Sequence, residues 1–175
     1  AVCTMWQDNG AETPMLSGLP SIIRFAEHGF AEEVSEETID AQLEFLTGCS
    51  AEALNLLGSL DHVNPSCTYD NPSKFLLYQD VLTGLFDAQT KGWDADAYYA
   101  GLRDRLNGIC EDWRISNAEK TVDESVHASA CLMLEMYGAL ADALSVKADL
   151  GKKIYEAYHA DDREALRRLT QQDIS

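Results

Sequence analysis

Apolar side chains recur every three or four positions along most of the chain, which is the spacing of one face of an α-helix. Ile39, Leu43 and Leu46 form the first such stripe. Ser35 precedes them as an N-cap residue, and Gly48 is a natural stop. Comparable stripes predict further helices over residues 50–57, 75–86, 94–113, 122–158 and 161–169. The pattern therefore predicts a multi-helix bundle.

The pattern defines some helix boundaries better than others. Residues 61–72 contain two Asn-Pro pairs and are the best candidate for a loop. The helix over residues 75–86 carries an apolar side, with two further apolar residues close by, so we expect it to be largely buried. The apolar side comprises Phe75, Tyr78, Leu82, Leu85 and Phe86, and the two neighbours are Leu77 and Val81. The run over residues 120–159 contains no proline, and Gly138 and Gly151 leave open whether it forms one helix or two.

The two ends of the chain differ from its body. Residues 1–5 form a strand-like run without an initial Met, and the chain stops at Ser175, just after an amphipathic segment. Both ends therefore look cut from something longer. The predicted fold class is all-α: a multi-helix bundle with a short N-terminal strand.

The net negative charge of the chain excludes some classes of binding partner. The 175 residues include 13 Lys and Arg against 30 Asp and Glu, a formal net charge of −17. The basic side chains after residue 146 alternate with acidic ones, as on a helix surface laced with ion pairs. A phosphate backbone or an anionic membrane would be repelled by such a body, so we expect neither nucleic acid nor membrane as a partner.

The cysteines suggest a reducing compartment. There are five of them, an odd number, with no C-x-x-C pair and no metal-ligand spacing. They are typical of free thiols. No apolar run approaches the roughly 20 residues needed to cross a bilayer, and no signal peptide is recognisable. We therefore expect a cytoplasmic protein.

Two E-x-x-H motifs, Glu124 with His127 and Glu156 with His159, have the spacing found in two-metal centres of helical bundles. Such centres need two further glutamates, and 32 residues of helix would separate the motifs by about 48 Å. They could meet only if the chain reversed near Gly138 or Gly151, where no loop-like sequence is present. We therefore predict no metal site.

The adjacent acids Asp123 and Glu124 are a candidate pair for acid-base chemistry. Successive helical residues point about 100° apart, so the two carboxylates would diverge. A solvated acid cluster with Glu119 at the start of a helix is the better interpretation.

The opening segment offers a third candidate site, because its short apolar run ends in an aromatic residue followed by polar ones. Trp6 could provide a flat wall for the carbon face of a sugar, and Asp8 could accept hydrogen bonds from sugar hydroxyls. An ordinary capped turn explains the same spacing equally well.

At this segment the sequence resembles glycoside hydrolase family 20, the β-N-acetylhexosaminidases, whose eighth barrel strand typically ends in W-x-E. Trp6-Gln7-Asp8 fits this motif with Asp in place of Glu. Other stretches are similar to a bacterial subgroup in which an α-helical domain follows the barrel. They are Asp8-Asn9-Gly10-Ala11-Glu12-Thr13, Leu19-Pro20 with Phe25-Ala26-Glu27-His28-Gly29, Leu77-Tyr78-Gln79-Asp80 with Gly84-Leu85-Phe86-Asp87, and Lys147-Ala148-Asp149-Leu150-Gly151.

The resemblance implies a hydrolase that removes terminal β-linked N-acetylhexosamines with retention, using the substrate's acetamido oxygen as nucleophile. The family's catalytic Asp-Glu pair belongs to the fourth barrel strand, which is not in this sequence, so no catalytic residue is carried over. The resemblance assigns a role to only two residues of this chain. Trp6 would line the sugar pocket, and Asp8 would bind distal hydroxyls of the sugar. Asn9 and Glu12 are better explained as caps of the following turn.

The resemblance also implies a domain organisation. Residues 1–30 would be the remnant of the last β/α unit of a (β/α)8 barrel, and residues 31–175 a non-catalytic C-terminal helical domain. Its partners would be the barrel of its own chain, the sugar through that barrel, and a second subunit in a homodimer, with no cofactor or metal. The competing hypothesis is an independent acidic helical module that binds a protein partner.

Overall fold

The computed structural model describes residues 2–4, 15–61, 72–117 and 124–172, which form eight α-helices. The helices are α1 (Leu19–Phe30), α2 (Glu36–Thr47), α3 (Ala51–Leu57), α4 (Pro72–Tyr78), α5 (Ala95–Asn117), α6 (Glu124–Lys147), α7 (Leu150–His159) and α8 (Arg163–Gln172). Short 3-10 helices lie at Met15–Gly18, Gly58–Leu60 and Asp87–Thr90. These residues include no strand, and the all-α fold class is confirmed.

The predicted N-terminal strand is not seen in the part of it that the structure describes. Residues 2–4 have no regular secondary structure, and residues 1 and 5 lie outside the described ranges. A strand is held by its ladder of hydrogen bonds to a neighbour, and the described residues supply no such neighbour.

The chain divides into two compact units. Unit 1 comprises residues 1–58 and 106–136, and unit 2 comprises residues 59–105 and 137–175. The division falls within α5 and α6, so each of these helices contributes to both units.

In unit 1, α2 begins and ends at the residues that the sequence predicted. The Ser35 hydroxyl accepts a hydrogen bond from Thr38 N, and Gly48 ends the helix with a left-handed φ of 69°. One part of the prediction is wrong: Leu46 is half exposed, and Thr47 is buried instead. Thr47 follows Ile39 and Leu43 at intervals of four, and its hydroxyl donates to Leu43 O at 2.7 Å, which satisfies the buried polar group.

The core of unit 1 lies among α2, α3 and the unit's portions of α5 and α6. Trp113 on α5 donates its indole N–H to Gly48 O at 3.1 Å, which ties that helix to the end of α2. The buried side chains of this core include Ile39, Leu43, Cys49, Leu54, Leu106, Cys110, Cys131 and Leu134.

In unit 2, α5 and α7 cap each other through two aspartates. Asp149, only 3% exposed, accepts from Ala95 N at 2.9 Å and from Asp96 N at 3.4 Å. Asp96 in return accepts from Asp149 N at 2.9 Å and pairs with Lys153. Burial raises the pKa of Asp96, while Lys153 and the Asp149 N–H act to lower it. The first N–H groups of α5 thus find their acceptor far away in sequence.

The apolar core of unit 2 surrounds this capping arrangement. The fully buried Tyr99 donates its hydroxyl to Leu60 O at 3.2 Å, and Tyr98 donates to Ser59 O at 2.7 Å. A second cluster forms where α7 packs against α8. It contains Leu150, Ala157 and Leu169, with the partly buried Val81, Ile154, Ala165 and Leu166.

The predicted buried helix over residues 75–86 is wrong. α4 ends at Tyr78, and residues 81–86 form consecutive turns, with Tyr78, Leu82 and Leu85 exposed. The Asp80 carboxylate accepts from Leu82 N at 2.8 Å, which offers the backbone an alternative to the helix. Gly84 then adopts a φ of 58°, which suits glycine and no ordinary helix.

The structure resolves two other boundaries. The long run over residues 120–159 forms two helices, separated at Ala148 and Asp149. The last helix is capped by Asp162, whose carboxylate accepts from Ala165 N at 2.9 Å, and not by Asp161, whose φ of 52° places it in the preceding turn. Most of the predicted loop over residues 61–72 lies outside the described ranges.

None of the helices in the described part of the chain combines the length and the apolar character that crossing a bilayer requires.

We predict that Gly151→Ala destabilises the protein while Gly101→Ala stabilises it. A Cβ at position 151 would lie 2.8 Å from Val81 O, a backbone atom that cannot swing away, and we expect a loss of about 1–3 kcal/mol. A Cβ at Gly101 meets nothing within 4 Å on an exposed face of α5, and alanine should add about 0.5–1 kcal/mol there. Urea unfolding of both variants measures the difference, and equal effects at the two positions would contradict the close approach.

Candidate functional site

The structure does not describe the sugar-binding residues that the sequence predicted. Trp6 and Asp8 lie outside the described residues, as do Asn9 and Glu12. Their assignment to a sugar pocket stays a prediction.

The other sequence candidates are not brought together in the described part of the chain. Glu119 and Asp123 lie outside it, and the side chains of Glu124 and His127 are not described either. The second E-x-x-H motif lies on an exposed part of α7, where the His159 ring packs on Tyr155 with ring centres 4.2 Å apart. The His159 ring is therefore held by an aromatic contact with Tyr155.

The structure brings together two of the quoted motifs that are distant in sequence: residues 77–87 and residues 147–151. We call residues 79–87 the motif turn. Gln79, which is buried, accepts from Phe86 N at 3.0 Å and donates to Asp87 Oδ1 at 3.2 Å, so one side chain closes the turn from both ends. Gly151 lies directly against Val81 O, and Lys147 donates its ammonium to Leu77 O. Residues of α6 and α7 therefore hold the end of α4 and the motif turn in place.

This arrangement gives the motif turn a particular surface. Leu82 and Leu85 are 80% and 73% exposed, and the neighbouring Tyr78 is exposed as well. Large apolar side chains held outward on a backbone fixed by buried hydrogen bonds are typical of a contact surface.

A second constellation, in unit 1, was missed by the sequence analysis. Cys110 on α5 and Cys131 on α6 are both buried, with their sulfur atoms 3.0 Å apart. Glu135 lies one turn beyond Cys131, and its Oε1 is 3.7 Å from the Cys131 sulfur and 4.0 Å from the Cys110 sulfur. Arg114, one turn beyond Cys110, pairs with the same carboxylate. We call these four residues the thiol cluster.

The surroundings of the thiol cluster favour the neutral form of the Cys110 thiol. Burial raises the pKa of Cys110 to about 12, with further contributions from the hydrogen bond to Cys131 and from that residue's charge. Arg114 acts in the opposite direction. Nearby Cys49 has its pKa raised to about 11 by burial and by Cys131. A thiol whose pKa is raised in this way is a poor nucleophile at neutral pH.

Only the tertiary structure could reveal this cluster in full. Cys131 and Glu135 are four residues apart on one helix, which is a visible signal of a shared face. Cys110 lies 21 residues from Cys131, and that spacing alone does not predict contact.

Comparison with known families decides what the chain is. Residues 52–175 match the family described as Glycoside Hydrolase 20C C-terminal domain. The chain belongs to this family. No curated protein and no solved structure matches the chain.

Membership in the glycoside hydrolase 20C C-terminal domain family confirms the resemblance drawn from the sequence motifs. The motif turn, Lys147 to Gly151 and the thiol cluster all fall within the matched residues. The helices α1 and α2 precede the match, so the predicted boundary at residue 30 stays a prediction.

We predict that the reduced protein loses stability above pH 9 in part through Cys110. Its pKa is about 12 in the folded state against 9.0 ordinarily, so unfolding releases a proton from it at intermediate pH. The free energy of unfolding therefore falls as pH rises from 9 towards 12. Urea unfolding at several pH values should show a shallower fall for Cys110→Ala.

The exposed Cys3 provides the control for that experiment. Cys3→Ala should keep the slope of the unmodified protein. If Cys110→Ala kept that slope as well, the raised pKa of the Cys110 thiol would be contradicted.

Proposed function

We propose that this domain is a non-catalytic part of a cytoplasmic exo-β-N-acetylhexosaminidase, in which it covers the barrel and contributes contacts between two subunits. The observation that carries this proposal is the match of residues 52–175 to the C-terminal domain of glycoside hydrolase 20C chains. An independent protein-binding module is less well supported, because the family is named as a domain of a hydrolase chain.

Unit 1 offers a surface for the barrel of the same chain. The residues before α1 resemble the last barrel strand, so the barrel would lie only a few residues from α1. Phe30 at the end of α1 and Phe45 on α2 are 93% and 88% exposed. Thr38, Gln42 and Phe45 line a shallow groove along α2. We assign this surface to the barrel because chain continuity keeps it close.

Unit 2 offers a surface for a second copy of the chain. Between Phe75 and Phe86 the only charged side chain is Asp80, although the whole chain carries a net charge of −17. The Asp80 carboxylate is engaged with Leu82 N and Thr83 N. Two copies of so acidic a chain repel each other, and a contact between them is most favourable where charge is sparse and apolar side chains are exposed. Residues 75–86 meet both conditions, and the next charged residue of the motif turn, Asp87, accepts a hydrogen bond from the buried Gln79.

We predict that Leu82→Ser combined with Leu85→Ser converts the full-length dimer into a monomer. The two leucines would lose their apolar contact, while the buried Gln79 and Asp87 that hold the turn are untouched. Light scattering after gel filtration measures the mass. Higher salt should strengthen the dimer of the unmodified protein, because screening reduces the repulsion between the acidic copies.

The matched control is Leu132→Ser on α6, which is also an exposed leucine, 66% accessible. It should leave the dimer intact. A dimer that survives the change at Leu82 and Leu85 would rule out the motif turn as the subunit contact.

We further predict that Trp6→Ala and Asp8→Ala in the full-length enzyme each lower kcat/KM by roughly tenfold to a few hundredfold. Stacking on a sugar and a charged hydrogen bond are each worth about 1–3 kcal/mol. Assays with an aryl β-N-acetylglucosaminide at several substrate concentrations measure the loss.

The pH-rate profile separates binding from proton transfer in these variants. Neither change should remove a limb of the profile, since neither residue is assigned the transferred proton. Loss of the acidic limb in Asp8→Asn would make Asp8 an acid-base group, and two kinetically silent variants would place this segment away from the sugar.

A further inference from the structure

The sequence predicts no metal site, but the fold brings together three possible ligands whose spacing along the chain gives no such signal. We propose that the thiol cluster binds one Zn²⁺ through the sulfur atoms of Cys110 and Cys131 and a carboxylate oxygen of Glu135. The three donor atoms are separated by 3.0, 3.7 and 4.0 Å. A triangle with these sides has a circumscribed circle of about 2.1 Å radius, so one point lies about 2.1–2.3 Å from all three atoms, which are the Zn–O and Zn–S bond lengths.

The helices bring these atoms together without distortion of the chain. Cys131 and Glu135 are one turn apart on α6, and Cys110 faces them from α5. Tetrahedral coordination would move the two sulfur atoms from 3.0 Å to about 3.7 Å apart, a shift that side-chain rotation supplies. The cluster is the only group of three such ligands among the residues that the structure describes.

The charges of the cluster suit a divalent cation. Two thiolates and one carboxylate carry three negative charges, and Zn²⁺ with the Arg114 guanidinium carries three positive ones. The metal-bound cluster is therefore neutral, which matters because both sulfur atoms are buried. Arg114 already pairs with Glu135 and would remain as an outer partner of that ligand.

The chemistry of the three ligand atoms determines which metal ion the site prefers. Thiolates favour Zn²⁺ over Mg²⁺ and Ca²⁺, which require oxygen ligands. Three protein ligands leave a fourth position, and the Glu135 side chain, 41% exposed, leaves the cluster open to solvent on one side. Water fits that position.

Binding of the metal must release protons. Each thiol loses one proton as its Zn–S bond forms, and no electron is transferred. Below the pKa of the thiols the apparent affinity should therefore rise by about a hundredfold for each unit of pH, because two protons leave for each ion bound.

The test uses the full-length protein, reduced and stripped with a chelator, and Co²⁺ as a spectroscopic probe for the zinc position. We expect about one Co²⁺ at this site, with the visible bands of tetrahedral cobalt and a thiolate-to-cobalt charge-transfer band, and displacement by Zn²⁺. The double variant Cys110→Ser with Cys131→Ser should abolish the charge-transfer band, and each single variant should reduce its intensity to about half or less and weaken binding. Glu135→Gln, on an exposed face that leaves folding intact, should weaken binding by about 10–100-fold.

Two control variants separate this site from other thiols. Cys3→Ser removes an exposed thiol and Cys49→Ala a buried one, and both should keep the spectrum and the affinity. Persistence of the band in the double variant, an unchanged band in both single variants, or absence of Co²⁺ uptake by the reduced protein would overturn the proposal. So would a mass two hydrogens lower that persists with reductant, since the two sulfur atoms would then be joined as a disulfide.

Discussion

The exchange of caps between Asp149 and Asp96 is the interaction on which unit 2 depends. The Asp149 carboxylate is almost completely buried, and it accepts the first N–H groups of α5 across 54 residues of chain. The backbone N–H of Asp149 donates in turn to Asp96. A buried carboxylate without donors would cost several kcal/mol, so this exchange fixes the point at which α6 ends and α7 begins. The helix break is thus set by a polar contact and not by a glycine or proline.

This break also determines the surface of unit 2. It places Lys147 where its ammonium reaches Leu77 O, and Gly151 where it can lie against Val81 O. Both contacts hold the motif turn, whose own closure comes from Gln79 and Asp87. The apolar side chains on that turn are consequently exposed on a backbone held by these contacts, so little conformational entropy would be lost in the subunit contact proposed above. A flexible loop of the same composition would bind more weakly.

The core of unit 1 contains buried cysteine side chains, whereas unit 2 contains the buried carboxylate of Asp149. Cys49, Cys110 and Cys131 are all buried, and burial raises the pKa of Cys49 and Cys110. Neutral thiols are small apolar side chains that pack well, so they disturb the core little when no metal is present. Because Arg114 and Glu135 lie at the edge of the same pair, the cluster has charged groups available to balance a cation without burying a separate salt bridge. Packing and metal binding are therefore compatible in one site.

The sequence by itself determined the helical class, the ends of α2, the start of α5 at Asp94 and the family, because caps and periodic stripes act over a few residues. It wrongly placed Leu46 in the core, because hydrophobic periodicity does not show that the Thr47 hydroxyl can be buried when it donates to Leu43 O. It also wrongly extended α4 to residue 86, because periodicity does not show that the Asp80 carboxylate competes for backbone N–H groups. The separation of α6 from α7 and the meeting of Cys110 with Cys131 depend on contacts across 54 and 21 residues. Only the tertiary structure decided these features, because no local preference specifies which distant donor or sulfur atom a side chain will meet.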